Sequence, residues 1–336
     1  MDSPRRIAIT GSSGFVGSAL VQALRTAGCE VRRLVRTAAN DPDAVRWDPT
    51  TGAIDVERLG AIDAVVHLAG ENVAAGRWTA ARKRAIQGSR GPVTAALSRT
   101  LAAMPHRPGV LVSASAVGIY GDRGDELLDE ASAPGQGFLA DVAQEWERAT
   151  APAEAAGIRV VNLRIGMVLD PAGGALPRLL LPFRLGLGGK LAGGRHWMSW
   201  ITRHDLVRVI RFALANTNLR GPVVATSPHP VTNRDFTRAL GRVLRRPTRL
   251  PVPGFALRLL FGEMAGALLL ASVRAAPNRL GVAGFVFDQP EIEWALRAVL
   301  GLVPPAGNSD GTGASGTRAE TTSWNDPPTS SPQRSR

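Results

Sequence analysis

Ile7-Ala8-Ile9-Thr10 is a short apolar run, and it passes directly into Gly11-Ser12-Ser13-Gly14-Phe15-Val16-Gly17. This junction narrows the fold more than any other feature of the chain. Three glycines at this spacing let the backbone turn tightly and approach a pyrophosphate, and they let the next helix pack close to the strand. A helix that starts there presents free N–H groups and a partial positive charge to phosphate. The strand-turn-helix context separates the run from a glycine-rich turn without a ligand and predicts dinucleotide binding.

The second strand selects the cofactor. NAD-binding units end this strand on Asp or Glu, which holds the ribose hydroxyls. Here Glu30-Val31-Arg32-Arg33-Leu34-Val35 is followed by Arg36, with no carboxylate at the strand end. A guanidinium in that place suits a ribose phosphate, so NADP(H) is expected over NAD(H). Arg32 and Arg33 read as flanking or solvated; the alternative is that all three are surface arginines of an Arg-rich chain.

Strand-like runs recur at Val31–Val35, Ala64–Leu68, Val110–Ser113 and Arg159–Leu163, with helical patterns at Val16–Ala27, Thr79–Ala103 and Leu139–Ala156 between them. The alternation predicts an α/β fold, a Rossmann-like doubly wound parallel sheet with a smaller, mostly helical C-terminal domain. The expected boundaries are 5–230 for the nucleotide-binding domain, 231–302 for the helical domain and 303–336 for a disordered tail of Pro, Gly, Ser and Thr. Val45–Ile54 reads as a small excursion with a turn in its middle. Phe255–Val273 is the most apolar long stretch; Arg258 and Glu263 argue for one or two buried helices rather than a membrane anchor.

Of 336 residues, 44% are hydrophobic and 20% charged, an ordinary globular balance. The single cysteine, Cys29, excludes a disulfide framework, and with no signal-peptide core it points to the cytoplasm. Five scattered histidines give no metal-ligand spacing, and no metal is expected. Lys and Arg number 40 against 28 Asp and Glu, for a net charge of +12. Arg234, Arg238, Arg242 and Arg245 recur at near-helical spacing on one face of a predicted helix and read as solvated. No nucleic-acid-binding module accompanies them, so neither nucleic acid nor membrane is an expected partner. The expected ligand besides the cofactor is a small-molecule substrate.

The glycine run, the Arg-ended strand and His67-Leu68-Ala69-Gly70 together resemble the extended short-chain dehydrogenase/reductase superfamily. Glu71-Asn72, Arg77-Trp78-Thr79, Ser113-Ala114-Ser115, Tyr120-Gly121, Trp146-Glu147 and Leu163-Arg164-Ile165-Gly166 narrow the resemblance to its atypical epimerase family, NADP-dependent proteins with a C-terminal domain of unknown function. The resemblance covers about residues 5 to 302. It implies that Gly11, Ser13, Gly14, Phe15, Val16 and Gly17 line the pyrophosphate and that Arg36 meets the ribose phosphate. It also implies that Leu68, Ala69 and Gly70 flank the adenosine side, that Arg90 is a further cofactor contact, and that Arg164, Gly166 and Val168 lie toward the nicotinamide half. Where the family places a His after Trp200-Ile201, this chain has Thr202, with His204 two positions on.

Ordinary members of the superfamily use Tyr-x-x-x-Lys as acid-base pair. This chain has one tyrosine, Tyr120, and two lysines, Lys83 and Lys190, at no such spacing. The helix that should carry the pair reads Phe138-Leu139-Ala140-Asp141-Val142-Ala143. The candidate replacements are Ser115, at the end of a strand where open α/β sheets bind ligands, and Tyr120. Tyr120 has two readings, proton donor or anchor of a loop. Glu71-Asn72 divides between a substrate contact and a turn, and Trp197 and Trp200 between a pocket wall and burial. His67 reads as packed. Two functions are compatible with these features. One is an NADP(H)-dependent oxidoreductase or epimerase acting on a small carbonyl, hydroxyl or sugar-nucleotide-like substrate without the usual dyad. The other is a non-catalytic NADP(H)-binding sensor or partner-binding protein.

Overall fold

The computed structural model describes residues 4–37 and 41–303, so the expected disordered tail lies almost wholly outside the described residues. The chain opens with β1 (Arg6–Thr10), α1 (Phe15–Thr26), β2 (Glu30–Val35), β3 (Ala44–Arg46) and the single turn α2 (Val56–Leu59). β4 (Ala64–His67), α3 (Ala80–Gly88), α4 (Gly91–Ala103) and β5 (Val110–Ala116) follow. Next come β6 (Leu127–Leu128), α5 (Phe138–Arg148), α6 (Ala151–Ala155), β7 (Arg159–Ile165), β8 (Met167–Asp170) and β9 (Gly173–Gly174). α7 (Leu176–Arg184), β10 (Trp197–Met198), β11 (Trp200–Thr202), α8 (Arg203–Ala215) and β12 (Gly221–Ala225) lead into the last part. It holds β13 (Val231–Thr232), α9 (Asn233–Leu244), α10 (Gly254–Phe261), β14 (Arg274–Ala275), α11 (Asn278–Val282) and α12 (Ile292–Val299).

Seven strands form one sheet in the order β12-β7-β5-β4-β1-β2-β3, and every pairing is parallel. Strands covered on both faces must be apolar on both, and all four residues of β4 are buried. Alternate side chains feed two cores. Ile7, Ile9 and Val66 pack with Leu20 of α1 and Ile210 of α8. Ala8, Val65 and Leu111 pack with Leu97 and Leu101 of α4 and Ala153 of α6. The predicted Rossmann-like sheet is therefore present.

Several boundaries differ from expectation. The excursion at 45–54 contains most of β3, the seventh strand of the sheet, and Trp47 bridges back to Ile54. The predicted helix over 79–103 is two helices broken at Ser89-Arg90, because Pro92 lacks the N–H needed inside a helix and instead starts a new one. Pro152 similarly starts α6 as a separate turn. The cut at 230/231 is not a packing boundary. Leu176, Leu180 and Phe183 of α7 and Trp200 of β11 share one core with Phe236 and Leu240 of α9 and Leu296 of α12. The second lobe thus draws on chain from both sides of the expected cut, because the apolar face of α9 is covered by elements that precede it.

The stretch 255–273 is helical as far as Leu270 and buried in its second half at Met264, Ala265 and Val273, but α10 departs from the expected buried core. Only Leu257 of α10 is buried, whereas Phe255 is 73% and Leu259 74% exposed.

Candidate functional site

At the carboxyl end of β1, Gly11 has φ +65°, and a Cβ built there would lie 2.8 Å from the Leu68 carbonyl carbon. One at Gly17 would lie 2.1 Å from the Gly11 oxygen. Neither position accepts a side chain. The Gly14 N–H donates to the Gly11 oxygen at 2.9 Å, and Gly14 caps α1 without a side chain over its amides. Ser12 Oγ, in the same turn, is buried with no partner among the described residues.

Thr10 fixes the neighbouring strand. Its Oγ1 accepts the Leu68 N–H at 3.1 Å and the Ala69 N–H at 3.3 Å, and it stands 2.7 Å from His67 Nδ1. Its one proton must therefore go to Nδ1, which leaves the His67 proton on Nε2, 2.9 Å from Thr94 Oγ1. Burial pushes the imidazole pKa down to about 4, so the ring is neutral. His67 is packed, as expected, and it holds Leu68-Ala69-Gly70 against the glycine turn.

Arg90 stands beside Gly70, where a Cβ would meet its guanidinium at 3.6 Å. It donates to the Glu71 oxygen at 2.9 Å and the Ile86 oxygen at 3.1 Å, and it lies 4.9 Å over the Trp146 ring. Burial pulls its pKa down to about 10, against the opposing pull of Glu71. Arg36 is exposed just past β2. Arg32 pairs with Glu30 at 2.7 Å and Arg33 with Asp41; among the described residues, Arg36 has no carboxylate partner. Phe15 is wedged at the far side of the turn. A Cβ on Gly173 would fall 2.4 Å from its ring, and one on Gly174 2.8 Å from the Val168 oxygen. Arg203 stacks 5.2 Å over the Phe15 ring and pairs with Asp170 at 3.0 Å. Gly11, Gly14, Phe15, Gly17, Leu68, Ala69 and Gly70 are thus brought together, with exposed Ser13 and half-buried Val16 in the same turn. Arg36, Arg90 and Val168 stand at the margins.

The two candidate catalytic hydroxyls are committed elsewhere. Tyr120 is fully buried. Its hydroxyl donates to the Asp129 oxygen at 2.6 Å and accepts from Arg164 at 3.0 Å. Burial pushes its pKa up to about 12, which Arg164 only partly offsets. Of the two readings of Tyr120, a phenol with both bonding directions used and no open face favours the loop anchor over the proton donor. Ser115 is buried as well, and its Oγ donates to Glu147 Oε1 at 2.7 Å, so its proton is not free for a substrate carbonyl. Arg164 donates through Nε and Nη2 to the two Glu147 oxygens, each at 2.9 Å. Arg164, which the resemblance places toward the nicotinamide half, forms a buried fork under Ser115 and Tyr120. Glu147 joins this network from α5, and no spacing rule pairs a residue there with Arg164 on β7.

The remaining features divide in the same way. Phe138, where the dyad helix begins, stands edge-on to Trp78 at 5.1 Å, with Lys83 5.1 Å over its ring. Lys83 pairs with Glu263. Glu71 receives Arg82 at 3.0 Å, and Asn72 Oδ1 closes a turn on Ala74 at 2.9 Å. Trp200 is buried, with its Nε1 on the His229 oxygen at 3.0 Å, and Trp197 Nε1 reaches Asp125 at 2.7 Å. Thr202 caps α8 through the Asp205 N–H at 3.1 Å. His204 meets Asp288 at 2.7 Å. With Asp205 they form a three-ligand cluster, but Arg208 pairs with both carboxylates, at 2.9 and 3.0 Å. Asp205 also accepts the Asp288 and Gln289 N–H groups, and the cluster ties α8 to that segment.

With this geometry in hand, comparison with known proteins is informative. The NAD dependent epimerase/dehydratase family matches residues 7–224, and a domain of unknown function, DUF1731, matches residues 252–299. An epimerase family protein of Mycobacterium bovis is 47% identical over 290 residues, covering 86% of this chain and 96% of its own length. One from Bacillus subtilis is 37% identical over 299 residues, covering 88% and 97%. The crystal structure of the human epimerase family protein SDR39U1 with NADPH superposes with a TM-score of 0.82 at 30% identity, covering 89% of this chain and 100% of that one.

Proposed function

This chain belongs to the NAD dependent epimerase/dehydratase family, and from that premise we propose that it binds NADP(H) as an atypical extended short-chain dehydrogenase/reductase. The observation that carries the cofactor is Arg36, a guanidinium without a carboxylate partner among the described residues, at the end of the strand beside the glycine turn. The turn supports the fit, because Gly11 and Gly17 leave backbone where a Cβ would collide and Ser12 Oγ has no partner among the described residues. The human relative, described with NADPH, agrees with this choice. When bound, the nicotinamide supplies a hydride. The residues of this chain bind and orient it: Gly11, Ser13, Gly14, Phe15, Val16 and Gly17 at the pyrophosphate, Leu68, Ala69 and Gly70 at the adenosine side, and Arg90 and Val168 at the margins. The decisive measurement is the dissociation constant of NADPH and of NADH for the wild type and Arg36→Ala. The variant should weaken NADPH about tenfold or more and leave NADH nearly unchanged. Equal effects on both would remove Arg36 from the ribose phosphate.

As an enzyme the chain would act on a small carbonyl, hydroxyl or sugar-nucleotide-like substrate, with the proton supplied by something other than a Tyr-Lys pair. A second reading, a non-catalytic NADP(H)-binding sensor, is favoured by one observation: the Ser115 and Tyr120 hydroxyls are both spent on Glu147, Asp129 and Arg164. Cofactor oxidation across carbonyl and sugar-nucleotide substrates separates the two. Turnover on any of these supports the enzyme, and tight NADPH binding with no turnover on all of them supports the sensor. The half-buried thiol of Cys29 suits a reducing cytoplasm.

A further inference from the structure

The positive charge of this chain is unevenly distributed. Between Asp170 and Asp205 there are five Lys or Arg and no carboxylate; between Asp235 and Glu263 there are six and again none. These eleven charges compare with a net +12 for the whole chain. The two stretches lie side by side. Leu191 and Val252 form a parallel bridge, the Val252 N–H donates to the Lys190 oxygen at 2.9 Å, and Gly186 faces Pro247. Among the described residues, Arg184, Lys190, Arg245, Arg246, Arg249 and Arg258 have no carboxylate partner, and all six are exposed.

The same stretches hold much of the exposed apolar surface. Leu181, Leu185, Leu187 and Leu250 are each more than half exposed, and so are Phe255, Leu259 and Leu260 of α10. On α10, Phe255, Arg258 and Leu259 stand at i, i+3 and i+4, so they share one helix face. A soluble surface does not ordinarily gather this many large aliphatic side chains around unpaired cations.

Arg203, Arg238 and Arg242 are paired with Asp170, Asp235 and Glu293 from outside the stretches, and the six cations named above remain. We propose that this cationic and apolar face docks peripherally on an anionic lipid surface, with Phe255, Leu259 and Leu260 entering the interface and the unpaired arginines meeting the headgroup phosphates. The observation behind it is the coincidence of uncovered apolar side chains and uncompensated cations on two adjoining stretches. Charge complementarity selects the occupant. A second copy would bring the same positive face against itself. Nucleic acid would satisfy the cations, but of these seven exposed apolar side chains only Phe255 offers a base a stacking surface, and the six leucines offer none. A lipid interface accepts both, with apolar groups below the headgroups and basic groups among them. No helix among the described residues is long and apolar enough to cross a membrane, so the contact lies on the surface. This revises the sequence expectation of no membrane partner, and it does not depend on the NADP(H) reading.

The test is co-sedimentation of the full chain with vesicles of phosphatidylglycerol and phosphatidylcholine in equal parts, and with phosphatidylcholine alone. The chain should sediment with the mixed vesicles only. Phe255→Ser/Leu259→Ser and Arg246→Ser/Arg249→Ser should each lower that binding about tenfold, with an unchanged urea midpoint as the check on folding. No sedimentation with anionic vesicles overturns the proposal, as does equal binding to neutral ones. So does a self-associated form in light scattering that Phe255→Ser/Leu259→Ser dissolves, or RNA binding tighter than vesicle binding and lost in the arginine variant.

Discussion

Tyr120 is the residue on which the sequence and the structure part most sharply. A tyrosine that closes the 3₁₀ turn Val117–Tyr120 directly after β5 has the address of a catalytic group, yet its hydroxyl ties Asp129 to Arg164. Tyr120→Phe should therefore act on stability. It removes one of the two hydrogen bonds of the Asp129 oxygen, the Ser132 N–H at 3.2 Å remaining, and leaves one buried Arg164 N–H without its acceptor, at a cost of ~1–3 kcal/mol, with NADPH affinity unchanged in the same preparation. A variant as stable as wild type but unable to turn over a substrate would restore the donor role. His67 gives the pH dependence its sign. The unfolded imidazole titrates near 6.5, while the buried one holds out to about 4. Above pH 6.5 both states are neutral and the contribution is fully present. As the pH falls toward 4 the unfolded chain takes up the proton first, so stability declines by ~3 kcal/mol across that window. Urea midpoints at pH 7.5, 6 and 4.5 should show this decline, and His67→Gln should flatten it. A variant with the wild-type slope would assign the decline to other groups.

At the scale of elements, the glycine turn is where local sequence and tertiary structure agree. Gly17 opens the second half of the turn and lets α1 seat on Gly11, where no Cβ fits. Gly17→Ala should force α1 away from the strand and lower NADPH affinity by at least tenfold, whereas Gly281→Ala, with open space around it and a backbone that accepts a side chain, should leave affinity intact. Calorimetric titration of the two variants is the measurement, and equal affinities would remove the turn from the cofactor site. This agreement explains what was legible. Strands with two buried faces, a helix start after glycines and a strand ending on Arg36 are local patterns that the fold does not override. The Ser115–Glu147–Arg164 fork was illegible because its members sit on β5, α5 and β7 and meet only after the sheet forms. The α10 exposure was illegible for a different reason. An apolar run states that its residues avoid water and does not say whether protein covers them, so 255–273 was read as buried.

At the scale of the whole molecule, the two lobes are joined through the candidate cofactor site and around it. Arg178 reaches the Ala74 oxygen at 2.7 Å, the Ser272 N–H donates to Asp122 at 3.1 Å, and Lys83 pairs with Glu263. Phe15 is the contact that matters most for a ligand. It is the first residue of α1, yet its ring packs on Gly173 and Gly174 and under Arg203, outside the sheet. A ligand that orders the start of α1 therefore orders β9 as well, since the Phe15 ring cannot move without opening that packing. Binding adds stability as RT ln(1 + [L]/Kd), ~2.7 kcal/mol at a hundredfold excess over Kd, and local opening is suppressed where that energy is coupled. Hydrogen exchange with saturating NADPH should slow at the amides of Gly11–Gly17 and also at those of Gly173 and Gly174. Phe15→Ala should keep the first protection and lose the second. Protection confined to the glycine turn in the wild type would uncouple the lobes. The bond network at Ser272 and Lys83 would then hold the second lobe in place without reference to the cofactor.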